Sequence, residues 1–156
     1  MTTVSFHPDG HLLATGTSSG SVNLYDLKTT SLAHTFPPTS AAPITALSFS
    51  ENGTWLASST HSESAVHIWD LRGLKLLKTL DMGTAIAGVA FDYTGQFLAA
   101  AGLGGVVVSQ YAKKSKAWSE PLRKAVGGGA VDVAWGPNAQ AVVVLTGEGA
   151  ISVLSA

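Results

Sequence analysis

Gly16-Thr17-Ser18-Ser19-Gly20 has the Gly-x-Ser-x-Gly spacing of a nucleophile elbow, in which a strained strand-to-helix turn presents a serine for acyl transfer. That chemistry needs a helix after the turn. Here an alternating strand pattern follows (Val22, Leu24), so the segment reads as a hairpin turn. Five histidines (His7, His11, His34, His61, His67) are candidate bases or metal ligands, but no carboxylate recurs at a fixed spacing from them, and neither a catalytic nor a metal site is expected. The chain has no cysteine, which excludes a thiolate nucleophile, sulfur-ligated zinc and a disulfide framework. Gly127-Gly128-Gly129 and the glycine-rich stretch 102–105 suggest phosphate loops, yet no Lys-Ser/Thr and no helical pattern follows, so they read as connections. Asn52-Gly53-Thr54 is a formal glycosylation sequon in a tight turn, expected to stay silent. No cofactor is expected.

Nine Lys+Arg against ten Asp+Glu give a net charge of -1, so no overall field draws nucleic acid or an anionic membrane. The local exception is Lys113, Lys114, Lys116, Arg123 and Lys124, five of the nine cations within twelve residues around Trp118. They could meet RNA phosphates or an acidic partner, with Trp118 stacking; a solvated connection is the preferred reading, and direct RNA contact is not expected. The longest apolar runs, such as 142–145, fall far below the ~18 residues of a membrane-spanning helix, so a soluble intracellular protein without membrane contact is the expectation.

What must position these residues is a repeat. Aromatic residues end short alternating runs at Phe6, Phe49, Phe91 and Trp135, spaced 43, 42 and 44 residues apart. Two residues earlier stand Val4, Leu47, Val89 and Val133, on the same face of a strand. Four residues later come Gly10, Gly53, Gly95 and, weaker, Ala139 in the turn Pro137-Asn138-Ala139. Apolar pairs open the next strand: Leu13-Ala14, Leu56-Ala57, Leu98-Ala99, Val142-Val143. Nineteen or twenty residues after the anchors lie Tyr25, Trp69, Tyr111 and Leu154, and Val66-His67-Ile68-Trp69-Asp70-Leu71 carries a Trp-Asp ending. The period and this ending predict an all-β, WD-type β-propeller. The chain supplies three full blades and strands a to c of a fourth, over approximately 1–36, 43–80, 86–122 and 130–156. A fourth strand is expected at 32–36, at 76–80 and, less clearly, around 118–122. Because the fourth unit stops after strand c and nothing before Val4 closes the ring, the chain is expected to be part of a longer propeller.

Several motifs together are similar to one family. Phe6-His7-Pro8-Asp9-Gly10 with Thr15-Gly16-Thr17, Pro43-Ile44-Thr45 with Phe49-Ser50-Glu51-Asn52-Gly53, and Ile68-Trp69-Asp70-Leu71-Arg72 with Lys78-Thr79-Leu80 resemble the WD-repeat domain of the pre-mRNA-processing factor 19 family. The resemblance is strongest over 4–102. It implies a nuclear splicing factor whose ubiquitin ligase activity resides in an N-terminal U-box absent from this segment. It also implies a homotetramer through a coiled coil outside the segment, and a propeller that receives substrates and splicing proteins. The segment itself is expected to be non-catalytic. An ordinary WD scaffold unrelated to ubiquitin or splicing is the alternative, since a fold does not fix a function.

Strands are consumed by packing, so partner contacts are expected on the loops 37–43, 60–65, 81–86 and 126–130, with Thr39, His61, Glu63 and Thr84 as the candidate residues. Phe6, Phe49, Phe91, Trp135, Trp69 and Asp70 are expected to be structural anchors. Compared with the usual WD pattern, the loops at Thr39, Thr84 and Gly129 lack a histidine and the b-c turns lack aspartate. The buried Asp-His-Ser-Trp hydrogen-bond network is therefore expected in no blade.

Overall fold

The computed structural model describes residues 1–137 and 140–155, so the turn residues Asn138 and Ala139 lie outside it. The described residues form sixteen strands in four sheets. The first blade is β1 (Thr3–Phe6), β2 (Leu12–Gly16), β3 (Val22–Asp26) and β4 (Ser31–Phe36). The second is β5 (Ile44–Phe49), β6 (Trp55–Thr60), β7 (Ala65–Asp70) and β8 (Lys75–Asp81). The third is β9 (Ile86–Phe91), β10 (Phe97–Gly102) and β11 (Gly105–Ala112), with an outer strand in two pieces, β12 (Ala117–Trp118) and β13 (Leu122–Lys124). The fourth has three strands: β14 (Ala130–Trp135), β15 (Ala141–Thr146) and β16 (Ile151–Ser155). Each sheet is an antiparallel meander in chain order. Meander order puts all a-b and c-d turns at one end of the stack (the turn face) and all b-c turns and d-a connections at the other (the loop face).

Alternation gives every sheet two apolar sides, and three inter-blade cores follow. Ala14, Val22, Leu24 and Phe36 meet Ile44, Phe49, Leu56 and Trp69. Ala57, Val66, Ile68 and Leu80 meet Ile86, Val89, Phe91 and Leu98. Ala99, Ala101 and Val106 meet Ala130, Val133, Val142 and Val144. The alanines at the third position of strand b (Ala14, Ala57 and Ala99), fully buried in the first three blades, let the sheets approach closely. Innermost strands are also joined directly: Phe91 N–H donates to Ser48 Oγ at 3.1 Å, and Trp135 Nε1–H to Ala90 O at 2.9 Å. Gly102 must be glycine, because a Cβ there would run into the Ala85 carbonyl of the adjacent connection.

A neighbour decides whether an anchor is buried. Phe49 and Phe91 are 7% and 8% exposed beneath the preceding blade, whereas Phe6 at the same position of the first blade is 65% exposed. Val4 beside it is exposed too, as are Leu145, Ile151 and Val153 on the outward side of the fourth sheet. These two apolar faces predict self-association of the 156-residue chain studied alone. Light scattering is expected to give a mass above 16.0 kDa, lowered by Phe6→Ser; a uniform monomer would contradict this.

Two register findings correct the sequence reading. Trp69 pairs with Leu56, and the residue pairing with the equivalent Leu98 is Ser109, not Tyr111. The cause is the b-c turn of the third blade, where Leu103 and Gly104 alone link the strands, against four residues (61–64) in the second. The outer strand of the third blade reaches Lys124 and is interrupted at 119–121, where Pro121 has no N–H for the ladder.

Candidate functional site

All four stretches expected to bind partners lie on the loop face, with local chemistry that ties them down. In the second blade Glu63, half-buried in the b-c turn, is a hub: its Oε2 accepts from Thr60 Oγ1–H at 2.8 Å, His67 Nε2–H at 3.0 Å and Thr39 Oγ1–H at 3.3 Å. His67 is buried on β7, with its Nδ1 3.1 Å from Thr79 Oγ1. Trp69 Nε1–H, two residues on, donates to Ser58 Oγ at 2.9 Å inside the core. Of the Asp-His-Ser-Trp network expected in no blade, the Ser58–Trp69 bond is present in the second blade. Both ring nitrogens of His67 are taken by Thr79 and Glu63, so the hub around Glu63 is a separate cluster from that bond. Sequence reasoning looked for Asp in the turn; the available signal was Glu63 placed four residues before a strand histidine.

Burial pushes the Glu63 carboxyl upward, but the hydrogen bonds from His67 and Thr60, the His67 charge and the Thr39 bond outweigh it and hold the group below the usual carboxylate range. A depressed carboxylate pKa stabilises the fold above the unfolded value and loses that contribution as pH falls through the folded one. Urea midpoints are therefore expected to fall in wild type as pH drops below about 4, and to fall less in Glu63→Gln. Parallel pH profiles for the two proteins would refute the hub.

Thr84 anchors the next connection: its Oγ1 accepts from Gly104 N–H at 3.0 Å. Thr39 and Thr84 thus play corresponding parts, each tying a d-a connection to the following b-c turn. His61 is exposed, and its backbone N–H donates to Pro43 O at 3.0 Å. Leu103, 81% exposed, is an apolar tip on the same face that sequence reasoning did not single out. Among the anchors, Trp69 is buried, Trp135 is half-buried, and Asp70 accepts from Arg72 N–H at 3.0 Å in the c-d turn.

The cation cluster read from the sequence is divided. Lys113, Lys114 and Lys116 sit in the c-d turn on the turn face, whereas Arg123 and Lys124 lie on β13 toward the loop face. Six positions of β11 separate the Ala112–Ala117 and Val106–Lys124 pairs, about 20 Å at ~3.3 Å per residue. Arg123 Nη1–H donates to the Met82 carbonyl. Trp118, suggested as a stacking platform, is half-buried in a ring cluster with Tyr111 (5.5 Å), Trp55 (5.7 Å) and Phe91 (6.2 Å), which corrects that suggestion. An apolar cleft of about 360 Å³ between the third and fourth blades is lined by Phe97, Leu122, Trp135 and Leu154. Among the described residues, no three His, Asp or Glu side chains converge as metal ligands would.

Four stacked antiparallel meanders of one register, with loops gathered at one end, define a β-propeller segment. The chain belongs to that family: the model described as "Vps8 beta-propeller" matches residues 3–124. In solved structures the fold recurs in the β-propeller domain of Cps50 (Swd1) from Myceliophteria thermophila, with a TM-score of 0.84 at 21% identity over 99% of this chain and 51% of that one. In sequence the chain is similar to pre-mRNA-processing factor 19, as its motifs led us to expect: 43% identical over 104 residues to the Oryza sativa protein, covering 65% of this chain and 19% of that protein. To the Arabidopsis thaliana homolog 2 it is 37% identical over 146 residues, 92% of this chain and 27% of the relative. The chain thus spans about a quarter or less of these relatives.

Proposed function

We propose that this segment is a partner-binding part of the propeller of a nuclear pre-mRNA-splicing factor, recruiting splicing proteins and ubiquitination substrates through the loop face. The observation that carries the reading is the similarity to pre-mRNA-processing factor 19 over 92% of the chain, together with strand faces committed to inter-blade cores and loops collected at one end. Ligase activity belongs to a U-box, and tetramer formation to a coiled coil, both outside these residues. On the loop face, His61 is the candidate direct contact; Glu63, Thr39 and Thr84 hold the surrounding connections in place and act on partners through that placement. A generic WD scaffold is the second reading, favoured by a family model that carries the name of a different protein, Vps8.

The test is co-precipitation of pre-mRNA and splicing intermediates with the longer protein that carries this segment. Association is expected in wild type, weakened by His61→Glu with Ser62→Glu and retained with Lys28→Glu on the turn face. No association in wild type would leave the generic scaffold. Release by Lys28→Glu alone would place binding at the wrong end.

A further inference from the structure

On the turn face, the c-d turns of three successive blades carry a cation at the same position: Lys28, Arg72 and Lys114, each two residues before a left-handed residue, Thr30 (φ 52°), Leu74 (φ 49°) or Lys116 (φ 52°). In the first two turns an aspartate precedes the cation. Asp26 Oδ1 accepts from Lys28 and Thr29 N–H, and Asp70 Oδ1 from Arg72 N–H. The third turn has Ala112 in that place and carries Lys113, Lys114 and Lys116. All three are exposed, and none is ion-paired with a carboxylate among the described residues. Tyr111 N–H donates to Gln96 O at 2.7 Å, which sets the a-b turn of the same blade alongside, and Tyr93 in that turn is 57% exposed.

Two more cations stand at this corner. Lys75 and Lys78 of β8 pair with Asp70 and Ile68 on the side of the second blade that faces the third. The Trp55–Tyr111 contact (4.6 Å) joins the two blades there. Asp70 lies beside Lys75 and Glu51 lies on the adjacent a-b turn, so the charge free of a carboxylate partner is that of Lys113, Lys114 and Lys116; Asp92 is buried beneath four donors. The third blade has neighbours on both sides, so these exposures do not depend on the open faces of the first and fourth sheets.

We propose that this corner of the turn face binds single-stranded nucleic acid, with Lys113, Lys114 and Lys116 on backbone phosphates and Tyr93 as the stacking surface for a base. An exposed tyrosine beside unpaired lysines is what such a ligand uses, since every base offers a π-face and stacking tolerates any sequence. An acidic peptide would use the lysines but has no need of the ring. With three phosphate contacts, log K should fall against log salt with a slope of about -2.

The experiment is fluorescence anisotropy of a short labelled oligouridylate with the intact chain. Association with that salt slope is expected, reduced about tenfold or more by Lys113→Glu with Lys114→Glu and about tenfold by Tyr93→Ala. Lys28→Glu with Lys124→Glu makes the same charge change elsewhere and is expected to alter affinity less than about twofold. Circular dichroism melts of all variants should coincide with wild type, because the substituted side chains are exposed. The proposal is overturned by absence of binding, by an equal loss in the Lys28/Lys124 variant, by an unchanged Tyr93→Ala, or by displacement with polyglutamate at equal charge. The last result would make the corner an acidic-peptide site. None of these outcomes bears on the loop face, so failure here leaves the proposed function standing.

Discussion

Trp69→Ala is expected to destabilise the protein by about 3–5 kcal/mol, the range for removing a buried aromatic side chain and leaving a cavity. The indole fills the first inter-blade core, 4.8 Å from the ring of Phe36 across the interface, and donates to Ser58 Oγ, itself buried. Deletion therefore removes packing between two blades and orphans a hydroxyl at once. Trp69→Phe separates the two effects: most of the packing stays and the hydrogen bond goes, for an expected loss of about 1–2 kcal/mol. Denaturant unfolding of the longer protein measures both. A Trp69→Ala loss under about 1 kcal/mol would mean that the residue is not in an inter-blade core.

Asp92→Ala is expected to cost about 3 kcal/mol, because the buried carboxylate organises a whole a-b turn and its loss strands three half-buried N–H groups at once. Oδ1 accepts from Gln96 N–H (2.9 Å) and Phe97 N–H (2.7 Å), and Oδ2 from Thr94 N–H (2.9 Å) and the Thr94 hydroxyl. The second blade solves the same problem with Ser50, whose Oγ accepts from Trp55 N–H at 3.0 Å. Asp92→Ser is thus expected to recover part of the loss, and equal destabilisation by Ala and Ser would show that the turn bonds are not the reason.

The repeat was legible because packing imposes it. Phe49 and Phe91 recur at the spacing at which a sheet must present its inner strand to the preceding sheet, and the alanines of strand b recur because sheets approach closely there. Less legible was anything set by turn length. The third blade's b-c turn is two residues shorter than the second's, so a fixed offset from the anchor selects Tyr111 when the structural equivalent is Ser109; the Gly-Leu-Gly-Gly run at 102–105 was the available hint. Glu63 was noticed as a candidate partner residue, but its role as a hub depends on Thr39, 24 residues away across a connection that no local pattern predicts. The cation cluster misled for a geometric reason: neighbours along an extended strand are distant in space, and Lys113 and Lys124 sit at opposite ends of one outer edge.

Blades of one register stacked through inter-blade cores should protect their strands in step, and native-state hydrogen exchange of the longer protein reads this residue by residue. Slow exchange is predicted at 44–49, 55–60, 86–91 and 97–102, with fast exchange at 37–43, 61–64 and 113–116. Protection should rise and fall with the 42–44 residue spacing of the anchors. Uniform exchange across these strands, or a protection pattern with helical periodicity, would contradict it.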